Sequence, residues 1–93
     1  MKTRSIPRRY SHTFSIHANG ARQVALAGSF SEWEKRLIHL RRNGDAHWRV
    51  RVLLGPGEHQ YRFVVDGVWR EDPANEAKIP NPLGGFNSVV RIS

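Results

Sequence analysis

The sequence predicts an all-β domain, built as a small antiparallel sandwich. Apolar and polar residues alternate over several short segments, which is the two-residue period of half-buried strands. Turn-forming pairs such as Asn19-Gly20 and Asp66-Gly67 separate these segments. Helical periodicity is poor throughout, and the best window, residues 31–42, is expected to form one helical turn at most. The 93 residues suffice for one domain with a single core.

The first two predicted strands follow one another across a tight turn. The apolar face of the first carries Tyr10, His12, Phe14 and Ile16. Asn19 and Gly20 then turn the chain, because both residue types tolerate a positive φ. The second strand presents Val24, Leu26 and Gly28. We interpret His12, which lies on the apolar face, as a core histidine rather than a ligand.

The third and fourth predicted strands alternate in the same way. The third places Trp48, Val50, Val52 and Leu54 inward. Arg49 and Arg51 then face outward, and a Gly-Pro-Gly sequence at residues 55–57 ends the strand. The fourth strand places Tyr61, Phe63 and Val65 inward, and Gln60, Arg62 and Val64 on the opposite face.

A hairpin and a final strand complete the predicted sandwich. Asp66-Gly67 is the strongest short-range hairpin signal in the chain. The last strand runs through Ser88, Val90 and Ile92. Residues 29–36 and 71–86 are expected to be irregular, and a loop as long as the second is usually functional.

The predicted domain covers residues 10–93. Residues 1–9 are expected to form a mobile basic tail. No apolar run approaches the roughly 20 residues that span a bilayer, and none follows the basic N-terminus as in a signal peptide. We therefore expect a soluble, cytoplasmic protein with no membrane partner.

Composition and motifs exclude most catalytic chemistry. The chain has no cysteine, which removes disulfides, thiol catalysis and thiolate metal sites. It has no Gly-x-Ser-x-Gly motif, and no histidine pair has the spacing of a helical zinc site. The carboxylates of Asp66, Glu71 and Asp72 lie in turn or loop positions of a thin sandwich, which lacks a cleft that would raise an acid's pKa. We predict no enzyme activity, no cofactor and no metal site.

The three tryptophans are predicted to have different roles. Trp48 lies on the inward phase of its strand and is expected to be core. Trp33 follows a small, polar segment, and Trp69 lies just past the hairpin. Partly exposed tryptophans at loop-proximal positions indicate a partner with a flat face, such as a sugar ring or a nucleic-acid base. The alternative is that Trp33 and Trp69 are half-buried packing residues.

Three motifs resemble those of a known family. Residues 24–35 read VALAGSFSEWEK, residues 56–73 read PGEHQYRFVVDGVWREDP, and residues 81–92 read NPLGGFNSVVRI. Together they resemble carbohydrate-binding module family 48. This family includes the glycogen-binding domain of AMP-activated protein kinase β subunits and the N-terminal domain of isoamylases and branching enzymes. The resemblance implies an immunoglobulin-like antiparallel β-sandwich of the early-set type.

The same resemblance implies a set of sugar-binding residues. The matching positions are Trp33, Trp69, Arg62, Leu83, Asn87 and Gly85. In the kinase-type members the glucan lies across the two tryptophans, the leucine reaches through the curl of the glucan, and the basic residue and asparagine bind sugar hydroxyls. Two positions depart from the family: Arg62 replaces the more usual lysine, and Gly85 stands where a threonine is frequent, which removes one hydroxyl contact.

Three functions remain open at this stage. The leading one is a non-catalytic module that binds α-1,4-glucans such as glycogen, starch, maltooligosaccharides and cyclodextrin by stacking on two tryptophans. The second is a structural or interaction domain that docks onto a glucan-metabolising enzyme or kinase subunit. The third is nucleic-acid binding, which the net charge of +7 supports. The arginines concerned are Arg41, Arg42, Arg49 and Arg51.

Overall fold

The computed structural model describes residues 8–93, which form an antiparallel β-sandwich. The strands are β1 (Tyr10–His17), β2 (Val24–Gly28), β3 (Ile38–His39), β4 (Arg41–Asn43), β5 (His47–Leu54), β6 (Gly57–Val65), β7 (Val68–Arg70), β8 (Lys78–Pro80) and β9 (Phe86–Ile92). A short 3₁₀ helix covers Trp33–Lys35. The predicted all-β fold is confirmed. Residues 1–7 of the predicted basic tail lie outside the described part of the chain.

The strands form two sheets. The first has three strands in the order β1-β5-β4, and β1 pairs with β5 over eight residues. The second has six strands in the order β3-β2-β6-β9-β8, with β7 also pairing to β6. Strand β6 is the longest and pairs with three neighbours, so it organises the larger sheet.

The core lies between the two sheets and follows the predicted alternation in β1 and β5, whereas all five residues of β2 and the outward-predicted Val64 of β6 are buried. Phe63 and Leu26 are fully buried, and Trp48 is only 8% exposed, which confirms its predicted core position. The ring of Phe14 meets the ring of Tyr61 edge-on at 4.8 Å between centroids, which joins β1 of one sheet to β6 of the other. His12 is half-buried and packs edge-on against Phe14 at 4.7 Å.

Polar side chains attach the segment after β7 to the larger sheet. The Tyr61 hydroxyl donates to Oδ2 of Asp72 at 2.6 Å, and the Asp72 backbone N–H donates to Oγ of Ser88 at 2.9 Å. The Asn75 amide nitrogen donates to the Tyr61 hydroxyl at 3.0 Å and to the Val89 carbonyl at 2.8 Å. Burial raises the pKa of the Tyr61 hydroxyl well above its usual range, and the hydrogen bond to Asp72 raises it further.

The structure differs from the sequence prediction in two places. The window 31–42 forms the 3₁₀ turn but also contains β3 and β4, and the expected irregular loop 71–86 contains β8. These strands are two or three residues long, and all three residues of β4 are exposed, so they have no alternating pattern to detect. Across residues 8–93, no helix is both long and apolar enough to cross a membrane.

Candidate functional site

An open groove of about 760 Å³ lies on the outer face of the larger sheet. Its lining residues are Trp33, Glu34, Gln60, Arg62, Trp69, Asn81, Pro82, Leu83, Gly84 and Asn87. Five of the predicted site residues are therefore brought together. The sixth, Gly85, lies behind the groove against Arg62, because a Cβ atom at Gly85 would be 3.3 Å from Nη2 of that arginine.

Sheet register places Trp69 and Arg62 on the same face. Gln60, Arg62 and Val64 alternate with the buried Tyr61 and Phe63 along β6 and therefore point away from the core. Trp69 lies directly opposite Val64 in the β6–β7 hairpin, so it shares that outward face. The tight Asp66-Gly67 turn sets this register, with Asp66 at φ 48° and Gly67 at φ 84°.

A constrained turn brings Trp33 to the groove. The Ser31 hydroxyl, which is buried, both accepts from the Gly28 N–H at 3.1 Å and donates to the Gly28 carbonyl at 3.2 Å. Glu32 and Trp33 then adopt φ 58° and 55°, a left-handed backbone that costs a non-glycine residue about 1–2 kcal/mol. Backbone strain of this kind persists where the surrounding structure demands it, which is frequent at functional sites.

Leu83 stands at the tip of a tight loop on the rim of the groove. The Leu83 N–H donates to Oδ1 of Asn81 at 2.8 Å, and the Asn81 N–H donates to the Gly85 carbonyl at 2.9 Å. These bonds hold the loop closed while the Leu83 side chain remains 96% exposed. The loop therefore places one exposed apolar side chain on the rim of the groove.

A row of amide side chains supplies the polar part of the site. The Asn81 amide nitrogen donates to Oδ1 of Asn87 at 2.9 Å, and the Asn87 amide nitrogen donates to Oε1 of Gln60 at 3.0 Å. Asn87 is only 4% exposed, so these bonds fix its orientation. Sequence reasoning did not select Gln60 and Asn81, although alternation along β6 had placed Gln60 on the same face as Arg62.

Arg62 has an unused hydrogen-bond donor. Its Nε atom is buried and has no hydrogen-bond partner among residues 8–93. A buried donor without a partner is costly to the folded domain.

The groove lacks the groups of a hydrolase or a metal centre. Within the described part of the chain, Glu34 is the one carboxylate that lines it, whereas glycoside hydrolysis uses a pair of carboxyl groups. Across the same residues, no group of three or more histidine, aspartate or glutamate side chains could hold a metal ion. The arrangement is instead suited to binding, with aromatic faces and amide and guanidinium groups around one open surface.

Comparison with known proteins agrees with this geometry. The sequence profile of the family described as the glycogen recognition site of AMP-activated protein kinase matches residues 11–93. The chain belongs to this family. The domain is therefore a non-catalytic carbohydrate-binding domain, as the sequence had predicted.

Individual relatives agree with this family assignment. The β-1 subunit of 5'-AMP-activated protein kinase from Sus scrofa is 38% identical over 74 residues, which cover 78% of this chain and 57% of that protein. The human β-2 subunit is 34% identical over 76 residues, covering 81% of this chain and 26% of the relative. The chain thus spans only part of the length of these relatives.

A solved structure extends the similarity to an enzyme. The maltogenic amylase from S. marinus superposes with a TM-score of 0.75 at 27% identity, covering 91% of this chain and 14% of the amylase. This domain therefore has the immunoglobulin-like β-sandwich that the sequence resemblance implied.

Proposed function

We propose that this domain binds α-1,4-glucans in the groove by stacking glucose rings on Trp33 and Trp69. The observation that carries the proposal is that both tryptophans line one groove together with Arg62, Leu83 and Asn87. Aromatic rings suit the C–H faces of sugars, and a few fixed polar groups supply orientation. The proposed ligands are glycogen, starch, maltooligosaccharides and cyclodextrin.

Each polar group has a distinct part in the proposal. Arg62 donates to sugar hydroxyls from a guanidinium group whose Nε has no other partner among residues 8–93. Asn87 offers its remaining amide hydrogen and lone pair from a side chain held by Gln60 and Asn81. Leu83 enters the hollow of a curled glucan from the rim. Gly85 contributes no hydroxyl group, and its lack of a side chain leaves room for the guanidinium group of Arg62.

We further propose that the module, over residues 10–93 and with a basic tail before it, carries an attached or associated enzyme to glucan. The relatives are named as kinase subunits, and the amylase contains a similar domain, which supports a kinase subunit or a glucan-metabolising enzyme as partner. A cytoplasmic location is the corresponding proposal.

Calorimetry with three ligands tests the proposed glucan preference. Affinity should be modest, on the order of micromolar to millimolar, because flexible sugars must be ordered on binding. β-Cyclodextrin, which is already curved, should bind at least as tightly as maltoheptaose, and cellohexaose should bind much more weakly. Equal affinity for cellohexaose would contradict the α-glucan assignment.

Co-sedimentation with glycogen at low and high salt tests the competing nucleic-acid function. Binding to a neutral polysaccharide should barely respond to salt, whereas binding driven by phosphate contacts falls steeply as salt is raised. A steep loss of glycogen binding in high salt would contradict recognition by stacking.

A further inference from the structure

A second cavity, of about 360 Å³, is lined mainly by the three-stranded sheet, and His39 of strand β3 in the larger sheet also contributes to it. Its lining residues are Thr13, His39, Arg41, Arg49, Val50 and Arg51. Three guanidinium groups, one imidazole and one hydroxyl therefore share one small space. The proposed glucan function uses none of them.

Sheet register creates this cluster of positive charge. Arg41 of β4 lies directly opposite Arg49 of β5, and Thr13 of β1 lies directly opposite Arg51. Arg49 and Arg51 alternate with the inward Trp48 and Val50, so both point outward. Like charges directly opposite each other destabilise a sheet, so this pairing needs a compensating interaction.

No carboxylate in the sheet compensates the cluster. Strands β1, β4 and β5 contain no aspartate or glutamate. The ion pairs among residues 8–93 join Arg36 to Glu32 and Lys78 to Glu71, away from this sheet face. A fourth arginine, Arg42, lies over the Trp48 ring at 5.9 Å, so it packs on the other side of β4.

We propose that this cavity binds a phosphate group, either as inorganic phosphate or as a phosphate monoester on a small sugar. The planar fork of arginine matches phosphate oxygens with paired hydrogen bonds, and Thr13 and His39 add further donors. A doubly charged anion between Arg41 and Arg49 would also relieve their mutual repulsion.

The shape of the cluster favours a compact ligand over a nucleic-acid strand. The arginines that run together in sequence divide in the structure, since Arg42 packs on Trp48 while the other three share one cavity. Single strands are bound along grooves that combine positive charge with aromatic stacking, and among residues 8–93 no Phe, Tyr or Trp side chain lines this cavity.

A ¹H–¹⁵N NMR titration of the full chain tests the proposal at constant ionic strength set by chloride. Inorganic phosphate and glucose 6-phosphate should each shift the amide resonances of Thr13, His39, Arg41 and Arg49. Glucose should leave these resonances unchanged. Equal affinities for inorganic phosphate and glucose 6-phosphate would show that the cavity recognises the phosphate group alone. Tighter binding of glucose 6-phosphate would show that the cavity also contacts the sugar.

Charge-matched variants separate a specific site from general electrostatic attraction. Arg49→Gln and Arg41→Gln should each weaken phosphate binding about tenfold, the effect of losing a hydrogen bond to a charged group. Arg91→Gln removes the same charge from an exposed position on β9 and should leave phosphate affinity unchanged.

Three results would overturn the proposal. The first is a loss of phosphate affinity in Arg91→Gln equal to the loss in Arg41→Gln or Arg49→Gln. The second is that glucose shifts the resonances as much as glucose 6-phosphate does. The third is that the protein binds a single-stranded oligothymidylate but neither phosphate. Trp33→Ala should retain full phosphate binding, so failure of the glucan proposal and failure of the phosphate proposal can be told apart.

Discussion

The backbone of Gly85 lies directly against the guanidinium group of Arg62: a Cβ atom at Gly85 would be 3.3 Å from Nη2. The same glycine has φ 72°, in the left-handed region that other residues rarely adopt. The Arg62 guanidinium group therefore occupies the space that a side chain at position 85 would need.

Gly85→Ala should lower both stability and glucan affinity. The positive φ should cost about 1–2 kcal/mol of unfolding free energy, and the added methyl group should displace Arg62. Gly20→Ala is a matched control, because Gly20 also has φ 72° but a Cβ there would meet nothing within 4 Å. Thermal melts should show similar destabilisation of both variants, while calorimetry should show an affinity loss only for Gly85→Ala. Unchanged glucan affinity in Gly85→Ala would show that Arg62 is not needed for glucan binding.

The three tryptophans should divide into binding and structural residues. Trp33→Ala and Trp69→Ala should each weaken β-cyclodextrin binding by about 1–3 kcal/mol, if stacking on sugars resembles stacking on bases, and leave the fold intact. Trp48→Ala should destabilise the domain by about 3–5 kcal/mol, because it leaves a cavity in the core.

Tyr10→Ala is the control for the tryptophan variants. Tyr10 is 40% exposed, close to the 39% of Trp69, but lies on β1 of the other sheet and does not line the groove. Its replacement should leave glucan affinity unchanged in calorimetry. Normal affinity in Trp33→Ala, or a stable Trp48→Ala protein in thermal melts, would refute this division of roles.

The side-chain amides of Gln60 and Asn81 should be needed to orient Asn87. Gln60→Leu removes the acceptor of the Asn87 amide and should weaken glucan binding by about 1–2 kcal/mol, because an unpaired buried donor is costly and the side chain loses its fixed position. Gln23→Leu, at an exposed position away from the groove, is the matched control for isotherms and melts. Equal affinity in the two variants would exclude a positioning role for Gln60.

The Tyr61 hydroxyl should make stability fall at alkaline pH. Because the folded state raises the pKa of Tyr61, its contribution to stability is complete below the unfolded tyrosine pKa of about 10 and is lost as pH rises above that value. Tyr61→Phe should be less stable at pH 7 by about 1–3 kcal/mol, since Asp72 loses its donor. Urea unfolding at increasing pH should show the two proteins converging above pH 10, and a constant difference would contradict this mechanism.

Alternation along the chain was enough to predict much of the fold and part of the site. Trp48 was assigned to the core and Arg62 to the outward face because a half-buried strand has a strict two-residue period. The hairpin at Asp66-Gly67 was predicted because the turn needs positive φ at both residues, which a short sequence pair reveals. These features are local, so short stretches of sequence suffice to predict them.

Short edge strands could not be predicted in the same way. Strands β3, β4 and β8 are too short to show a period, and they form because longer neighbours offer them hydrogen-bonding partners. The sequence also does not predict the turn at Glu32 and Trp33. Both residues have a left-handed backbone, which the surrounding structure imposes on non-glycine residues.

Only the tertiary structure decided which side chains share a surface. The pairing of β6 with β7 and β9 brings Gln60, Trp69 and Asn87 to one face, and the loop that carries Leu83 closes over the same groove. The pairing of β4 with β5 likewise places Arg41 directly opposite Arg49. In the sequence these two arginines are eight positions apart and show no sign of this contact. Such contacts depend on register between strands distant in the chain, and register is specified most strongly where one face of a strand is buried in the common core.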